Sequence, residues 1–181
     1  MPRVSREQAA LNRAALVTAA AELLCARGSA GVTIDAVSAR AGLTHGGFYK
    51  QFASRDALMA EALDQVVLRR RVVLGSASAA PDPRRAVIEA YLSARHRDDP
   101  SHGCPVAALA GDPAISPDAP MFDGFNEAFS DLVEAVRVPP GDGRALLDVA
   151  AMVGALQLSR TMAGTASSDE VLSATKRLLL G

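Results

Sequence analysis

The side chains best suited to contact a nucleic acid fall within one short stretch, residues 33–52, which reads TIDAVSARAGLTHGGFYKQF. His45, Tyr49 and Lys50 lie close together near its end. Lysine can donate hydrogen bonds to a phosphate oxygen or to the O6 and N7 atoms of guanine, and His45 is placed to reach a base edge. We therefore expect this stretch to bind a polyanion.

Two short helices are needed to carry these groups. Thr33 can cap the first helix and Thr44 the second, because a hydroxyl accepts hydrogen bonds from the free amides of a first helical turn. Gly42, between them, is a natural helix stop, and we assign Phe48 and Phe52 to the core behind the second helix. Two short helices joined by a turn containing glycine are typical of the helix-turn-helix motif, whose second helix enters the major groove of DNA.

The charge distribution favours a polyanionic partner for the first part of the chain. The net charge of the 181 residues is −1, but residues 1–72 contain 10 Lys and Arg against 6 Asp and Glu. Residues 73–181 contain 9 against 14. A basic segment followed by an acidic one suggests that the first third binds a polyanion, although chance clustering would give the same pattern.

The composition favours an all-α fold. Apolar residues make up 49% of the chain but aromatic residues 4%, and tryptophan is absent. A core of Ala, Leu and Val suits packed helices, and the sequence contains no β-branched run with a period of two. Beyond the two short helices, apolar periodicity predicts helices over residues 12–27, 55–74, 83–97, 106–110, 121–137, 144–164 and 167–180.

Several local signals refine these helices. Residues 75–83 (GSASAAPDP) are rich in small residues and proline, which predicts a hinge. Ser167 and Glu170 form a capping box for the last helix. The basic run at 69–71 is expected to complement a helix dipole and stay solvated, with a direct DNA contact as the alternative. The helix over 144–164 is apolar almost all round, so it must be buried on more than one side.

The two cysteines, Cys25 and Cys104, are far apart in sequence and do not form a disulfide framework. Cys25 is expected to be a small buried residue. His96, His102 and Cys104 lack the paired spacing of a zinc site, so we expect no metal and no cofactor. The sequence shows neither the core of a signal peptide nor an apolar run of roughly 18–20 residues, so we expect a cytoplasmic location.

About the first 60 residues resemble the TetR family of bacterial transcriptional regulators. The pieces that carry the resemblance are an Ala-rich first helix ending at Gly28, the segment VTIDAVSARAGLT, the run FYKQF at 48–52 and SRDAL at 54–58. The rest of the chain resembles the family's helical ligand-binding and dimerisation domain more loosely. The resemblance implies a DNA-binding domain over residues 1–57 and a regulatory and dimerisation domain over residues 58–181.

The resemblance also assigns individual contacts. It implies a phosphate contact for Tyr49, whose phenol is a donor on a rigid arm, and another for Arg55, which stands where the family carries a lysine. For Thr33 and Thr44, capping alone and capping with a phosphate contact both remain open. The glycines at 46–47 depart from the family pattern. They would allow the backbone to approach DNA closely, but they remove side chains that could read bases. The predicted DNA-binding residues are Thr33, Thr44, His45, Gly46, Tyr49, Lys50 and Arg55.

The family organisation implies a homodimer that binds a double-stranded DNA operator, acts as a repressor and responds to a small-molecule effector. The helices over 144–164 and 167–180 would form the dimer surface, and their alternative is the ordinary core of a monomer. No membrane partner is expected. An aromatic face at helical spacing is by default core, but a ligand pocket would be lined by Tyr91, Cys104, Met121, Phe122, Phe125 and Phe129.

Other function classes remain as alternatives. A helical sensor would use Cys104 as a redox or electrophile switch, with His102 lowering the thiol pKa if it were charged and close, whereas the same turn can simply start a helix. An enzyme with Cys104 as nucleophile lacks a third orienting group, an oxyanion loop and a phosphate-binding loop, so we expect no enzymatic activity. An interaction protein that has lost DNA binding is favoured by the glycines at 46–47 alone.

Overall fold

The computed structural model describes residues 5–138 and 143–181, and the described chain is all-helical, as predicted. The helices are α1 (Arg6–Arg27), α2 (Ile34–Arg40), α3 (His45–Tyr49), α4 (Arg55–Ser78), α5 (Pro83–Tyr91), α6 (Ala94–Asp98), α7 (Pro105–Leu109), α8 (Phe122–Val136), α9 (Arg144–Thr161) and α10 (Ala166–Leu180). The chain break that the sequence predicts at 138–143 lies mostly outside the described residues.

The N-terminal head comprises α1 to α3 and the start of α4. α1 begins earlier than the predicted residue 12, because Ser5 caps it and accepts a hydrogen bond from the Gln8 amide at 3.1 Å. By length and composition α1 is apolar enough to cross a membrane, but it packs against α4 and serves as the core helix of the head. The apolar residues of α1 that recur at helical spacing are buried, namely Leu16, Ala19, Ala20, Leu23 and Leu24.

α4 joins the head to the body, which comprises the rest of the chain. Ser54 caps α4, and its hydroxyl accepts a hydrogen bond from the Ala57 amide at 3.1 Å. The domain boundary expected between residues 57 and 58 falls inside this helix, so head and body share one continuous element. α4 buries one apolar face, namely Leu58, Ala62, Val66 and Val67.

The predicted hinge at 75–83 is wrong over its first part, because α4 continues to Ser78. The hydroxyl of Ser76 donates to the carbonyl of Val72 at 3.0 Å, a bond that satisfies a small polar side chain inside a helix. The helix stops shortly before Pro81, whose ring disfavours helical backbone in the residue that precedes it. Small residues therefore did not break this helix, whereas proline did.

The helix predicted over 83–97 is interrupted after Tyr91. The backbone of Leu92 leaves the helical region with a ψ of 52°. Ser93 then caps α6, and its hydroxyl accepts a hydrogen bond from the His96 amide at 3.2 Å. This cap turns the chain back towards the body and places His96 beside Tyr91.

The last helix starts at Ala166, and its cap is not the predicted capping box of Ser167 and Glu170. The hydroxyl of Thr165 accepts a hydrogen bond from the Ser168 amide at 3.3 Å instead. Ser168 is fully buried and its hydroxyl lies 3.0 Å from that of Ser159 on α9. A buried serine pair therefore fixes the register of α9 against α10.

Of the arginines predicted to stay solvated at the end of a helix, Arg71 is exposed, whereas Arg69 and Arg70 are half-buried. Since α4 extends to Ser78, they lie within the helix rather than at its end. Arg71 pairs with Asp131 of α8 at 2.6 Å, and Arg69 donates to the carbonyl of Ser101 at 3.3 Å. Arg69 and Arg71 therefore tie α4 to the body.

α9 packs on α10 and α8 and buries Val149, Met152 and Leu156. Leu147 and Leu158 lie on its other face and are 73% and 55% exposed. The prediction that this helix is buried on more than one side is therefore not met within a single chain. The described chain has no further element with which to cover that face.

Candidate nucleic-acid interface

The two short helices of the head have the caps that the sequence predicts. The hydroxyl of Thr33 accepts a hydrogen bond from the Ala36 amide at 3.1 Å, and that of Thr44 accepts one from the Gly47 amide at 3.2 Å. Between the helices Gly42 has a φ of 68°, in the left-handed region that favours glycine. The chain can therefore turn sharply and begin α3 directly after α2.

One exposed face of this motif collects most of the predicted contact residues. The side chain of Tyr49 is 56% exposed, and Lys50 and His45 are also exposed. α3 is shorter than predicted, because Lys50 is its C-cap residue and Phe52 lies beyond its end. The predicted residues that are exposed on the motif are Thr33, Thr44, His45, Gly46, Tyr49 and Lys50.

The aromatic residues behind this face form its support, as predicted. Phe48 and Phe52 are buried, with ring centroids 6.0 Å apart. The guanidinium of Arg13 on α1 lies 4.0 Å from the centroid of the Phe52 ring, a favourable cation–π distance. It also donates to the carbonyl of Gln51 and pairs with Glu61. No local sequence pattern predicts this role of Arg13, since its partners lie far along the chain.

His45 is held by a carboxylate that we did not predict. Its Nδ1 lies 2.8 Å from Oδ1 of Asp35, in the first turn of α2. Because an ionised carboxylate can only accept, Nδ1 carries the proton, and Nε2 of this exposed side chain has no partner among the described residues. The His45 ring also lies 5.5 Å from that of Tyr49, one turn later. The imidazole is therefore oriented before DNA arrives.

Arg55 differs from the other predicted contacts. Its Nε donates to the carbonyl of Val32 at 2.5 Å, and its guanidinium also donates to the carbonyl of Ser29. These bonds tie the start of α4 to the loop that precedes α2. The side chain of Arg55 is 37% exposed, so part of the guanidinium still faces solvent beside the motif.

A cavity of about 600 Å³ lies in the body between α4, α5 and α6. Of the predicted ligand-binding residues, Tyr91 lines it, and Cys104 lines a separate cavity of about 10 Å³ nearby. Met121 is buried, and the phenylalanines of α8 are half-buried, but none of them lines either cavity. The phenylalanines concerned are Phe122, Phe125 and Phe129.

Burial determines the ionisation of the groups near this cavity. It raises the pKa of the Cys25 thiol to about 11 and lowers the pKa of His96 to about 4, so both are neutral near pH 7. Cys104 is buried, and no hydrogen bond joins it to His102, whose Nδ1 instead lies 3.0 Å from Asp99. This geometry lends no support to the thiol-switch and Cys/His enzyme alternatives. Within the described ranges no cluster of potential ligands could hold a metal ion.

Comparison with known proteins agrees with this geometry. The family described as bacterial regulatory proteins, tetR family, matches residues 16–62, which span the two short helices and their supports. An HTH-type transcriptional regulator from Mycobacterium tuberculosis is 28% identical over 93% of this chain and 94% of its own length.

Solved structures show the same fold over almost the whole chain. A TetR transcriptional regulator from Chloroflexus aurantiacus superposes with a TM-score of 0.79 at 22% identity, covering 96% of this chain and 94% of that one. A TetR-family regulator from Agrobacterium tumefaciens gives 0.77 at 18% identity, with 95% and 97% covered. FadR from Bacillus subtilis, solved in complex with stearoyl-CoA, gives 0.65 at 11% identity, with 93% and 97% covered.

Proposed function

The chain belongs to the TetR family of bacterial transcriptional regulators, and we propose that it acts as a dimeric repressor that a small molecule releases from its operator. The observation that carries the proposal is the exposed face of the motif, where Tyr49, Lys50 and His45 stand outward on a buried aromatic support. Donor groups on one face suit contacts with phosphates and base edges. Such a regulator would act in the cytoplasm, where its operator is.

Each contact residue has a distinct role in this proposal. Tyr49 and Lys50 donate to phosphate oxygens and set the register of α3, and Lys50 can also reach a guanine. His45 offers Nε2 to a base edge while Asp35 holds its other nitrogen. The exposed part of Arg55 faces a phosphate at the flank, and Thr33 and Thr44 cap their helices at the DNA surface.

Dimerisation supplies the second head. Regulators of this family dimerise, and a two-fold operator presents half-sites about one helical turn, roughly 34–36 Å, apart. On α9, Leu147 and Leu158 are exposed, and Leu178 of α10 is 79% exposed. Burying these leucines against the same face of a second copy would give a four-helix interface.

Release follows if the ligand prefers one spacing of the two heads. α4 begins beside the helix-turn-helix motif, and its C-terminal part lines the 600 Å³ cavity. A ligand that fits the cavity better in one arrangement shifts the population towards it. The FadR structure with stearoyl-CoA is an example of this fold holding a small molecule.

The proposal is tested by selecting DNA fragments from a random library and measuring fluorescence anisotropy on the selected sequence. We expect a two-fold symmetric site and a steep loss of affinity with salt. Lys50→Ala should weaken binding and reduce the magnitude of the salt slope by about 1. Arg85→Ala removes an exposed charge from α5, away from the motif, and should change neither. Selection that yields no common sequence, with equal binding by Lys50→Ala, would contradict the proposal.

A further inference from the structure

The cavity in the body is bordered by positive charge that carboxylates do not balance. Arg69 and Arg70 of α4 line it, and Arg160 of α9 lies close to Tyr91 and His96 in its wall. Arg160 donates to the carbonyl of His96 at 2.8 Å rather than to a carboxylate. Asp99, at the edge of the cavity, is bound by His102 at 3.0 Å.

Among the described residues, two arginines of the cavity wall have no partner, namely Arg95, which is exposed, and Arg70. No residue that the structure describes forms a hydrogen bond or ion pair with it, although its side chain is partly buried. The next residue, Arg71, by contrast binds Asp131 at 2.6 Å and Glu127 at 3.1 Å on α8. A partly buried guanidinium is costly to leave unpaired, so Arg70 has unused capacity to bind an anion.

Several residues that line the cavity have buried polar atoms without partners among the residues that the structure describes. The hydroxyl of Tyr91, a residue that is 2% exposed, is buried beside the Cys104 thiol and has no other hydrogen-bond partner within the described chain. Nε of Arg69 is buried and forms no hydrogen bond with residues 5–138 or 143–181. Nε2 of His96 is also buried without a hydrogen-bond partner in these ranges. The other ring nitrogen, Nδ1, donates to the Tyr91 carbonyl at 2.9 Å. Buried polar atoms are normally paired with protein, water or a ligand. Three such atoms near one cavity indicate that a polar guest belongs there.

The cavity is also lined by Ser76, Ser93, Arg95 and His102, and its other walls are apolar. They are formed by small and aliphatic side chains of α4 and α5, and the volume of about 600 Å³ lies within the range of small-molecule sites. A site with apolar walls and a few convergent polar groups fixes the orientation of its ligand through those groups. The apolar wall residues are Val73, Leu74, Ala77, Val87 and Ala90.

We propose that this cavity binds a small molecule with an apolar body and one anionic group, which pairs with Arg70 while the body lies against α4 and α5. The inference rests on the proposed function, since it names the chemical class of the effector. The hydroxyl of Tyr91 donates to the same group or to a water bound with it. Carboxylate, sulfonate and phosphate esters share the chemistry that Arg70 recognises.

A matched pair of fluorescent probes tests the class. 8-Anilinonaphthalene-1-sulfonate and N-phenyl-1-naphthylamine have the same ring system, and the sulfonate is the difference between them. We expect the wild-type protein to bind the sulfonate about tenfold more tightly, as one charge-assisted hydrogen bond allows. Arg70→Gln should lose that preference and leave the affinity for the neutral probe unchanged. Tyr91→Phe should also reduce the preference for the sulfonate probe, but by a smaller factor than Arg70→Gln.

The control variant is Arg71→Gln, which removes the neighbouring charge but keeps the cavity, and it should bind both probes as the wild type does. Displacement of the sulfonate by octanoate or octyl phosphate supports the proposal, and comparing these two competitors separates the carboxylate from the phosphate class. The proposal is overturned if octanol displaces the sulfonate probe as well as octanoate and octyl phosphate do.

Equal affinity of the wild type for the two probes also overturns the proposal, as does an equal effect of Arg70→Gln and Arg71→Gln. No binding of either probe below about 1 mM has the same consequence. The titrations contain no DNA, so they decide the ligand class whether or not the protein binds an operator. Failure of the wild-type protein to select a DNA site would instead contradict the repressor proposal.

Discussion

Ser29 in the head donates two hydrogen bonds to the carboxylate of Asp112 in the body. The amide of Ser29 lies 2.7 Å from Oδ2 and its hydroxyl 2.6 Å from Oδ1. Asp112 also accepts a hydrogen bond from the Ala114 amide at 2.9 Å. Since Arg55 donates to the carbonyl of Ser29, this turn connects the start of α4 and the loop after α7 at one point. The junction is a second link between head and body, beside α4.

The Ser29–Asp112 link should make stability depend on pH. Burial by itself would raise the pKa of Asp112, but the hydrogen bonds from Ser29 and Ala114 outweigh it and lower the pKa. A lowered folded-state pKa stabilises the fold above the unfolded value of about 3.9, and this contribution is lost as the pH falls through the folded-state pKa. We therefore expect Asp112→Asn to be less stable than the wild type by about 1–3 kcal/mol near pH 7. The difference should shrink towards about pH 3.

Urea unfolding at the two pH values measures this difference. Asp118→Asn is the control, because Asp118 is an exposed carboxylate in the same loop region and should show no such pH-dependent difference from the wild type. A deficit of Asp112→Asn that stays constant between the two pH values would show that the carboxylate charge is not what stabilises the junction.

The junction also shows what the sequence could not reveal. The signals that predicted the head are local: Thr33 and Thr44 cap helices within their own turns, and Gly42 marks the bend between them. The contacts of Asp112 and Arg13 join residues far apart in sequence. No spacing rule pairs such residues, because their approach depends on how whole helices pack. The cavity was missed for the same reason, apart from Tyr91.

Gly46 should favour DNA binding at the expense of helix stability. A Cβ added at Gly46 would meet no atom within 4 Å, so alanine fits the free protein. Gly46→Ala should stabilise the fold by about 0.5–1 kcal/mol, since glycine is the poorer helix former. It should also weaken operator binding, because the added methyl group stands where the backbone approaches DNA.

Thermal unfolding and anisotropy titrations on each variant separate the two effects of Gly46→Ala. Gly75→Ala is the matched control, because Gly75 is an exposed glycine of α4 with equally open space around its Cα. It should stabilise the fold without changing DNA affinity. Unchanged operator affinity in Gly46→Ala would remove the argument that the bare backbone faces DNA.

His45 and Tyr49 should differ in how they affect specificity. Tyr49→Phe removes a phosphate donor and should weaken binding to all operator variants alike. His45→Ala removes a base contact, so it should relax discrimination by about 1–3 kcal/mol at one position in each half-site. Anisotropy on operators substituted one base pair at a time measures both effects. If His45→Ala weakens every substituted operator equally, the imidazole contacts the backbone rather than a base.

The exposed leucines of α9 should hold the dimer together. Replacing Leu147 and Leu158 by glutamate puts two like charges from each subunit into the proposed interface, so the protein should sediment as a monomer near its mass of 18.7 kDa. Affinity for the full operator should then fall by well over tenfold, because a monomer reads a single half-site. Leu68→Glu changes an equally exposed leucine of α4, which is 62% exposed, and should leave the dimer intact. If the doubly substituted protein remains dimeric, the interface lies on another face of the body. The two heads would then meet DNA at a different spacing.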